Sequence, residues 1–357
     1  MSVRVNLGAR SYNIYIGSGV LARLGGWARE CADGDKALLV SNRQVLALYG
    51  PIVGSSLAES GYQVASAEIG DGEKYKSLAT LESLYDQAYS AGLDRHSPII
   101  ALGGGVVGDV AGLVAATYLR GVPFVQVPTS LLAQVDSSVG GKVAVNHPRG
   151  KNIIGAFYQP TLVVADMLTL RTLPPREIRC ALAELIKYGI IGSAGFFNWL
   201  EDNIDKLLSL DEGALVYAVA AACKSKAQVV EEDETEQGRR AILNLGHTVG
   251  HAIETLSGYR VYCHGEAVAI GIAAAVKLAE EMGLLPVDQA RRIIALLNRA
   301  GLPVSIPPSL DGNQMIAAMR RDKKAHDGKL TFVLPMAIGS VQVCDDLPKK
   351  LIQQVLF

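Results

Sequence analysis

The segment around Gly103 constrains the fold of this chain more than any other. Ser97-Pro-Ile-Ile-Ala-Leu is an apolar run that predicts a buried strand, and it leads directly into Gly103-Gly-Gly-Val-Val-Gly-Asp109. The residues that follow, to about Tyr118, have helical spacing, and Pro123-Phe-Val-Gln-Val-Pro128 predicts another short strand. A strand, a helix and a second strand in this order are typical of a parallel sheet. We therefore expect an α/β domain.

The length of the chain predicts two domains. With 357 residues, the chain exceeds the size at which a single core usually stops growing, roughly 250–300 residues. Strand-like and helix-like runs alternate before Pro174-Pro175, whereas most of the runs after it are helical in spacing. We predict an α/β domain with a mostly parallel, Rossmann-like variant sheet over residues 1–175. A mostly α-helical domain is predicted over residues 176–357.

The composition excludes several classes of protein. The chain has 34 Lys and Arg against 35 Asp and Glu, so it offers no overall positive field for nucleic acid or an anionic membrane. Its apolar runs are shorter than the ~20 residues that span a bilayer. The five cysteines lack C-x-x-C spacing, which argues against a disulfide framework and against a thiolate zinc site. We predict a cytoplasmic protein with reduced cysteines that binds neither nucleic acid nor membranes.

The glycine-rich turn also has the spacing of a dinucleotide-binding loop. Gly103, Gly105 and Gly108 fit the pattern G-x-G-x-x-G between a strand and a helix, where bare backbone can approach a pyrophosphate. The match alone does not distinguish such a loop from an ordinary tight turn. Its position is unusual, because a standard Rossmann domain has this loop in its first βαβ unit. The sequence therefore predicts a variant dinucleotide site, with Asn42 and the segment 71–76 at neighbouring strand ends.

A long polar segment after Pro128 contains several cations. The stretches Asp136-Ser-Ser-Val-Gly-Gly-Lys142 and Asn146-His-Pro-Arg-Gly-Lys151-Asn152 are rich in glycine and hydrogen-bonding side chains. Loops of this length are usually functional or disordered. The alternative is a solvated loop with incidental lysines, but the apolar residues 153–158 tie the segment to a core. We expect partly buried Lys142 and Lys151 to bind a phosphate or a carboxylate.

Three of the six histidines lie between residues 247 and 264. His247 and His251 are four residues apart, a spacing that places both imidazoles on one face of a helix. His264 follows in the next segment, and Glu184 offers a carboxylate on an otherwise apolar helix. Three protein ligands with an open position are typical of catalytic zinc. The spacing alone leaves open which of these residues bind the metal.

Several long blocks together resemble the 3-dehydroquinate synthase family of the shikimate pathway, and the resemblance runs nearly end to end. These blocks are Gly103–Asp109, Pro128–Lys142, Gly150–Pro160, Ala183–Gly189 and Asn244–Glu254. The resemblance implies an NAD-binding domain, a metal- and substrate-binding domain and an active site in the cleft between them. It also implies a homodimer, with NAD and zinc as cofactors and cobalt as the alternative metal. The implied substrate is a sugar-acid phosphate, 3-deoxy-D-arabino-heptulosonate 7-phosphate.

The resemblance assigns roles to individual residues. NAD contacts are assigned to Asn42, Asp71, Gly72, Glu73, Lys74, Tyr75, Lys76, Gly105, Val106, Val107, Gly108, Asp109, Thr129, Ser130, Lys142, Lys151, Thr169, Leu170, Arg171 and Thr172. The metal ligands are Glu184, His247 and His264. Catalytic roles fall on Asp136, Lys142, Asn152, Lys187 and His251, and substrate contacts on Arg120 of a neighbouring subunit, Lys151, Lys226, Arg240, Asn244 and Lys324 or its neighbour Lys323. His251 thus faces the substrate, which corrects the inference from its four-residue spacing.

The implied reaction uses NAD transiently. Oxidation of an alcohol acidifies the neighbouring C–H, proton loss expels phosphate, the hydride returns, and an aldol step closes the carbocycle. Two alternatives share the expected fold: another sugar-phosphate cyclase, whose substrate lacks the carboxylate, and a metal-dependent polyol dehydrogenase, which releases NADH. Arg240 beside Asn244 favours a substrate with a carboxylate. Lys142, Lys151 and Lys187 argue against a neutral polyol, and a nucleotide-binding protein without enzyme activity leaves the histidines unexplained.

Overall fold

The computed structural model describes residues 1–321, 330–345 and 347–356, and these form two compact units. The first unit comprises Met1–Leu173 and Leu215–Glu231, and the second comprises Pro174–Ala214 and the described residues from Glu232 onward. The sequence predicted a single boundary at residue 175, whereas residues 215–231 belong to the first unit in the structure. That assignment depends on contacts between residues far apart in the chain.

A seven-stranded sheet lies in the first unit. Its strands are β1 (Ser2–Val5), β2 (Tyr12–Gly17), β3 (Lys36–Asn42), β4 (Gln63–Ile69), β5 (Ile99–Gly103), β6 (Phe124–Pro128) and β9 (Leu162–Asp166). Their order is β1-β2-β9-β6-β5-β3-β4, with β1 antiparallel to β2 and the other pairs parallel. Every residue of β5, β6 and β9 is buried, as expected for parallel strands covered on both faces. The predicted mostly parallel α/β fold is confirmed.

Helices cover both faces of this sheet. They are α1 (Leu24–Arg29), α2 (Arg43–Glu59), α3 (Leu78–Ser90) and α4 (Gly105–Thr117). Leu38 and Val40 of β3 pack in one apolar core with residues of α3 and α4. Leu39, between them, packs in the opposite core with residues of α1 and α2. Successive side chains of a strand point to opposite faces, so a continuous apolar run serves both cores.

A hairpin of two strands follows a π-helical turn at Ala133–Ser137. Its strands are β7 (Lys142–His147) and β8 (Gly150–Phe157), which pair antiparallel. The sequence predicted a long polar loop here, and that prediction was wrong. Val143 and Val145 are buried against the same core as α4 and alternate with more exposed residues. Such alternation is typical of a strand with one face on a core.

The second unit is mostly helical, as predicted. Its helices are α5 (Pro175–Gly192), α6 (Ala194–Leu208), α8 (His247–Leu256), α9 (His264–Glu281), α10 (Val287–Arg299), α11 (Gly312–Arg321) and α12 (Lys349–Leu356), with a hairpin of β10 (Thr331–Ala337) and β11 (Ser340–Asp345). Most of α7 (Glu212–Glu232) belongs to the first unit. Among the described residues, no helix is both long enough and apolar enough to cross a membrane.

Candidate active site

Three helices of the second unit bring one carboxylate and two imidazoles together. Glu184 lies within α5, and His247 and His264 are the first residues of α8 and α9. Nε2 of His264 lies 3.5 Å, and Nε2 of His247 lies 4.0 Å, from Oε1 of Glu184. Each residue offers a ligand atom within 4.8 Å of the others. A carboxylate and two imidazoles can bind Zn²⁺ and leave a position open for substrate, so these residues fit the metal that the resemblance implies.

Glycines allow these three helices to approach one another. A Cβ added to Gly265 in α9 would lie 1.8 Å from the carbonyl oxygen of Cys180 in α5. A Cβ added to Gly271 would lie 1.8 Å from the carbonyl oxygen of Gly246, the residue before α8. Gly246 also has a φ of 81°, a left-handed conformation that favours glycine. Larger residues at these positions would push the three candidate ligands apart.

A disulfide joins Cys180 in α5 to Cys263, the residue before α9. Their Cα atoms lie 6.7 Å apart, within the usual range for such a bond. The prediction that all five cysteines are reduced was therefore wrong for this pair. The two residues are separated by 83 positions, and sequence spacing does not show that they meet. Cys31, Cys223 and Cys344 are free, in agreement with the prediction.

Lys187 compensates part of the charge of Glu184. The two side chains form an ion pair one helical turn apart, and both residues are buried. A carboxylate in such surroundings needs nearby cations, because water no longer stabilises its charge. Lys187 supplies one positive charge, and a divalent ion bound by Glu184 and the two histidines would supply more.

The ring nitrogens that face away from Glu184 also have partners. Nδ1 of His247 lies 3.1 Å from the carbonyl oxygen of Leu245, and a proton on Nδ1 leaves Nε2 available as a ligand. Nδ1 of His264 lies 3.5 Å from Oε1 of Glu254, a buried residue of α8. Burial disfavours the charged imidazole of His264, but Glu184 and Glu254 outweigh that effect and raise its pKa to about 10. No role for Glu254 was predicted from the sequence.

His251 lies one turn after His247 in α8. The centre of its ring is 5.2 Å from that of His247 and 6.3 Å from that of His264. His251, Glu254 and His264 form a second group whose ligand atoms lie within 4.8 Å of one another. The two groups share His264, but only the first contains the fully buried Glu184. The assignment of His251 to the substrate stays a prediction.

Arg240 and Asn244 lie in the 3₁₀ segment Arg239–Asn244 of the second unit. Arg240 is almost fully buried, and its Nη1 donates a hydrogen bond to the carbonyl oxygen of Glu234. Nδ2 of Asn244 donates to Oε1 of Glu236 at 3.3 Å. Lys323 and Lys324 lie outside the described residues.

Asp233 organises the turn that precedes Arg240. Its carboxylate accepts backbone N–H groups from Gln237, Gly238 and Arg240 at 2.9, 2.8 and 3.0 Å. Burial opposes the charge of Asp233, but these N–H groups prevail and lower its pKa. No role for Asp233 was predicted from the sequence. Polar residues and a glycine between two helical runs indicate a loop here, but that pattern does not single out Asp233.

In the first unit, polar side chains collect at the carboxyl ends of the parallel strands. Asn42 ends β3, Asp71 follows β4, and Thr129 and Thr169 follow β6 and β9. Nδ2 of Asn42 donates to Oδ1 of Asp71 at 3.1 Å. The glycine turn joins β5 to α4 at the same edge of the sheet. Ligands of open α/β sheets bind outside this edge.

The first turn of α4 follows directly on the glycine-rich loop. Its N-cap is Gly104, and no described side chain caps the helix. A Cβ added to Gly105 would lie 3.2 Å from Oγ of Ser137, and so the bare backbone avoids a tight contact. Lys76 forms an ion pair with Asp109 in this helix. Burial raises the pKa of Asp109, although the charge of Lys76 acts in the opposite direction.

Several predicted cofactor and substrate residues contact one another around Glu73. Oε1 of Glu73 accepts a hydrogen bond from Nδ2 of Asn146 at 2.7 Å and lies 3.8 Å from Nζ of Lys151. The backbone N–H of Asn152 donates to Oδ1 of Asn146 at 2.9 Å. Lys142 is exposed. The expectation of its partial burial was therefore wrong, because its position in β7 alternates with that of the buried Val143.

Arg120, Thr172 and Lys226 are further predicted site residues of the first unit. Arg120 is exposed and has a left-handed φ of 69°. Thr172 contacts the hydroxyl group of Tyr49 through Oγ1 at 2.6 Å. Lys226 in α7 donates to the carbonyl oxygen and to Oδ1 of Asp136, both at 2.7 Å. The structure thus brings together Lys226 and Asp136, which are both predicted to serve the substrate.

Solved structures with this fold define the class of protein. The chain matches a 2-deoxy-scyllo-inosose synthase with a TM-score of 0.90 and 29% identity, over 100% of this chain and 99% of that one. It matches a 2-epi-5-epi-valiolone synthase from Streptomyces hygroscopicus subsp. jinggangensis with a TM-score of 0.88 and 28% identity, over 97% and 95%. The first was solved with carbaglucose-6-phosphate, NAD⁺ and Co²⁺, and the second with NAD⁺ and Zn²⁺. The fold is that of the sugar-phosphate cyclase superfamily.

The sequence identifies the family within this class. The model for the N-terminal part of 3-dehydroquinate synthase matches residues 66–180, and the model for its C-terminal part matches residues 181–325. The 3-dehydroquinate synthase of Pelotomaculum thermopropionicum is 60% identical over 355 residues, which cover 99% of this chain and 96% of the relative. The chain belongs to the 3-dehydroquinate synthase family, and the resemblance seen in the sequence is confirmed.

Proposed function

We propose that this chain converts 3-deoxy-D-arabino-heptulosonate 7-phosphate to 3-dehydroquinate and phosphate. The observation that carries the proposal is the 60% identity to a 3-dehydroquinate synthase over almost the whole chain. The group of Glu184, His247 and His264 supports it, because the reaction needs a Lewis acid near the substrate hydroxyls. The fold class places the reaction in a superfamily whose solved members bind NAD⁺ with Zn²⁺ or Co²⁺.

Glu184, His247 and His264 would hold zinc, with cobalt as the alternative. When bound, the metal would lower the pKa of a substrate hydroxyl so that hydride can leave. Lys187 keeps a positive charge beside the carboxylate of Glu184. His251, on the same face of α8 as His247, is our candidate for the proton partner of the leaving phosphate.

The strand ends of the first unit would bind NAD. The N-terminus of α4 would face the pyrophosphate, since its N–H groups and the helix dipole favour negative charge there. Asn42 and Asp71 would contact the ribose or adenine groups. Bound NAD would supply a transient hydride acceptor, and the reaction would involve no net oxidation.

Cationic and amide side chains would bind the charged groups of the substrate. Lys142, Lys151 and Asn152 are assigned to the phosphate, and Arg240 with Asn244 to the carboxylate. Lys226 would orient Asp136, whose carboxylate it contacts directly. Arg120 would reach the site of a neighbouring subunit, and Lys324 would assist Arg240.

The test supplies the purified protein with NAD, zinc and the heptulosonate phosphate. Phosphate release and the absorbance of reduced nicotinamide are followed together. We expect phosphate and 3-dehydroquinate in equal amounts with no net NADH, and Glu184→Gln serves as the inactive control. Stoichiometric NADH would instead indicate a polyol dehydrogenase. Equal turnover of a substrate analogue without the carboxylate would indicate a different sugar-phosphate cyclase.

We also propose that the protein acts in the cytoplasm as a homodimer, as the family resemblance implies. Sedimentation velocity tests the second part. A single species with the mass of two chains is expected, and a monomer that retains full turnover would contradict a contribution of Arg120 to the neighbouring site.

A further inference from the structure

Three successive turns of α5 are tied to the beginning of α9. Arg176, Cys180 and Glu184 follow one another at four-residue intervals, so their side chains form a ladder along one side of the helix. Each of them meets one residue at or just before the first turn of α9: Arg176 meets Glu266, Cys180 meets Cys263, and Glu184 meets His264. Neither Arg176 nor Glu266 is among the residues assigned to NAD, metal or substrate.

Arg176 and Glu266 form a bidentate ion pair. Nε and Nη2 of Arg176 donate to Oε1 and Oε2 of Glu266 at 2.8 and 2.6 Å. Nη2 also donates to the carbonyl oxygen of Val261 at 2.7 Å. Oε2 of Glu266 accepts the backbone N–H of Cys263 at 3.1 Å. The carboxylate of Glu266 therefore connects Arg176 in α5 to the residue directly before His264.

The position of His264 makes this connection important for metal binding. His264 is the first residue of α9, and the ends of helices are the parts that fray. The bond from Cys263 to Glu266 caps the helix. The guanidinium group holds that cap against α5, which also carries Glu184. Two metal ligands from different helices are thereby kept at one separation.

We propose that Arg176 is a positioning residue for the metal, which it serves by holding His264 in place through Glu266. The proposal rests on the proposed function, in that it takes Glu184, His247 and His264 as the metal ligands. The guanidinium group of Arg176 binds Glu266 and Val261 rather than a metal ligand. Its effect reaches the metal through the backbone of residues 261–266.

The experiment measures metal binding apart from turnover. Arg176→Gln and Glu266→Gln remove the ion pair and keep the size of the side chains. We expect the dissociation constant for Zn²⁺, measured by competition with a chelator, to rise by up to about 10-fold, the lower end of the range for losing a direct partner of a metal ligand, because Arg176 acts on His264 only through Glu266. The visible absorption of the Co²⁺ form should also change, because it reports the geometry of the ligands.

The matched control is Arg292→Gln. Arg292 in α10 makes the same kind of bidentate pair with Glu201 in α6, and neither helix carries a proposed ligand. We expect unchanged Zn²⁺ affinity and an unchanged Co²⁺ spectrum in this variant. Arg176→Lys keeps the charge but loses the planar guanidinium group that binds both carboxylate oxygens. We expect the Zn²⁺ affinity of this variant to lie between that of the wild type and that of Arg176→Gln.

Two results would overturn the positioning role. The first is wild-type Zn²⁺ affinity together with a wild-type Co²⁺ spectrum in Arg176→Gln. The second is a loss of Zn²⁺ affinity in Arg292→Gln equal to that in Arg176→Gln. That result would mean that breaking any bidentate ion pair between helices weakens zinc binding. A wild-type protein that binds zinc but does not convert the heptulosonate phosphate would contradict the proposed function alone.

Discussion

His251 and His264 of the second unit both lie near Glu254 but have different surroundings. His264 has a carboxylate on each side, Glu184 at Nε2 and Glu254 at Nδ1. His251 lies one turn along α8 from His247, and its ring centre is 6.3 Å from that of His264. The first arrangement is typical of a metal ligand that a second carboxylate orients. The second is compatible with a side chain that contacts the substrate.

We therefore expect His264→Ala and His251→Ala to differ in their metal content. His264→Ala should lose bound zinc, because it removes one of three ligands. His251→Ala should retain zinc and lose turnover. Metal analysis of the dialysed proteins, together with phosphate release, checks both results. Loss of zinc from the His251 variant would favour the second group, of His251, Glu254 and His264.

Asp233→Asn should lower stability in a way that depends on pH. Backbone N–H groups lower the pKa of Asp233 in the folded protein, below the unfolded value of about 3.9. Its charge therefore stabilises the fold above that value, and the contribution is lost as the pH falls through the folded pKa. We expect the variant to lose about 1 kcal/mol at neutral pH and to approach the wild type in acid. Urea unfolding at several pH values tests this, and a constant difference would contradict it.

The functional role of a single residue could be predicted where its side chain is unusual among its neighbours in the sequence. Clustered histidines and a carboxylate in an apolar helix predicted a metal site near Glu184, and the family resemblance then implied His247 and His264, rather than His251, as the ligands. Arg176 carried no such signal, because a charged residue at the start of a helix is ordinary and its partner lies 90 positions away. Residues that act through another residue become visible only when the helices are placed together.

At the level of elements, the approach of α9 to α5 depends on the absence of one side chain. Gly265→Ala would place a methyl group 1.8 Å from the carbonyl oxygen of Cys180, and one helix must then move. We expect a loss of about 1–3 kcal/mol in the free energy of unfolding and weaker zinc binding, because His264 moves with α9. Calorimetry and chelator competition measure these two effects.

Gly192→Ala is the control for this substitution. Gly192 is the last residue of α5, and a Cβ added to it would have no atom within 4 Å. This variant should bind zinc as the wild type does. If Gly192→Ala and Gly265→Ala lose Zn²⁺ affinity to the same extent, the close contact at Gly265 does not set the distance between the proposed ligands.

Some strands were predicted correctly from the sequence and others were not. β5 and β6 are short apolar runs bounded by turn residues, and their burial follows from that pattern. The hairpin of β7 and β8 was mistaken for a loop, because its lysines, glycines and asparagines outnumber the valines that pack inward. Its strands are stabilised by the core beneath them, and local sequence does not report that core.

At the scale of the whole molecule, the first unit is discontinuous in sequence. Residues 215–231 belong to it together with residues 1–173. Lys226 donates to Asp136, and the thiol of Cys223 donates to the carbonyl oxygen of Gln134 at 3.3 Å. Glu231 accepts two hydrogen bonds from Asn6, at 2.7 and 3.0 Å. The middle and the end of this segment are therefore fixed to the sheet-bearing part of the chain.

A fragment of residues 1–173 should be less stable than the same fragment joined through a flexible linker to residues 215–231. The isolated fragment leaves Asp136 without the buried cation of Lys226 and loses a helix from its packing. Urea unfolding should show a lower midpoint and a smaller slope for the shorter fragment. Equal midpoints would mean that α7 contributes little to the first unit.

This discontinuity also affects how the protein is made. The ribosome adds roughly 5–20 residues per second, and roughly 60 residues separate the end of the sheet-bearing segment from the end of the returning helix. For a few seconds during synthesis, the glycine turn and its sheet exist without α7. A chaperone that shields apolar surface on the nascent chain would have its main period of action in that interval.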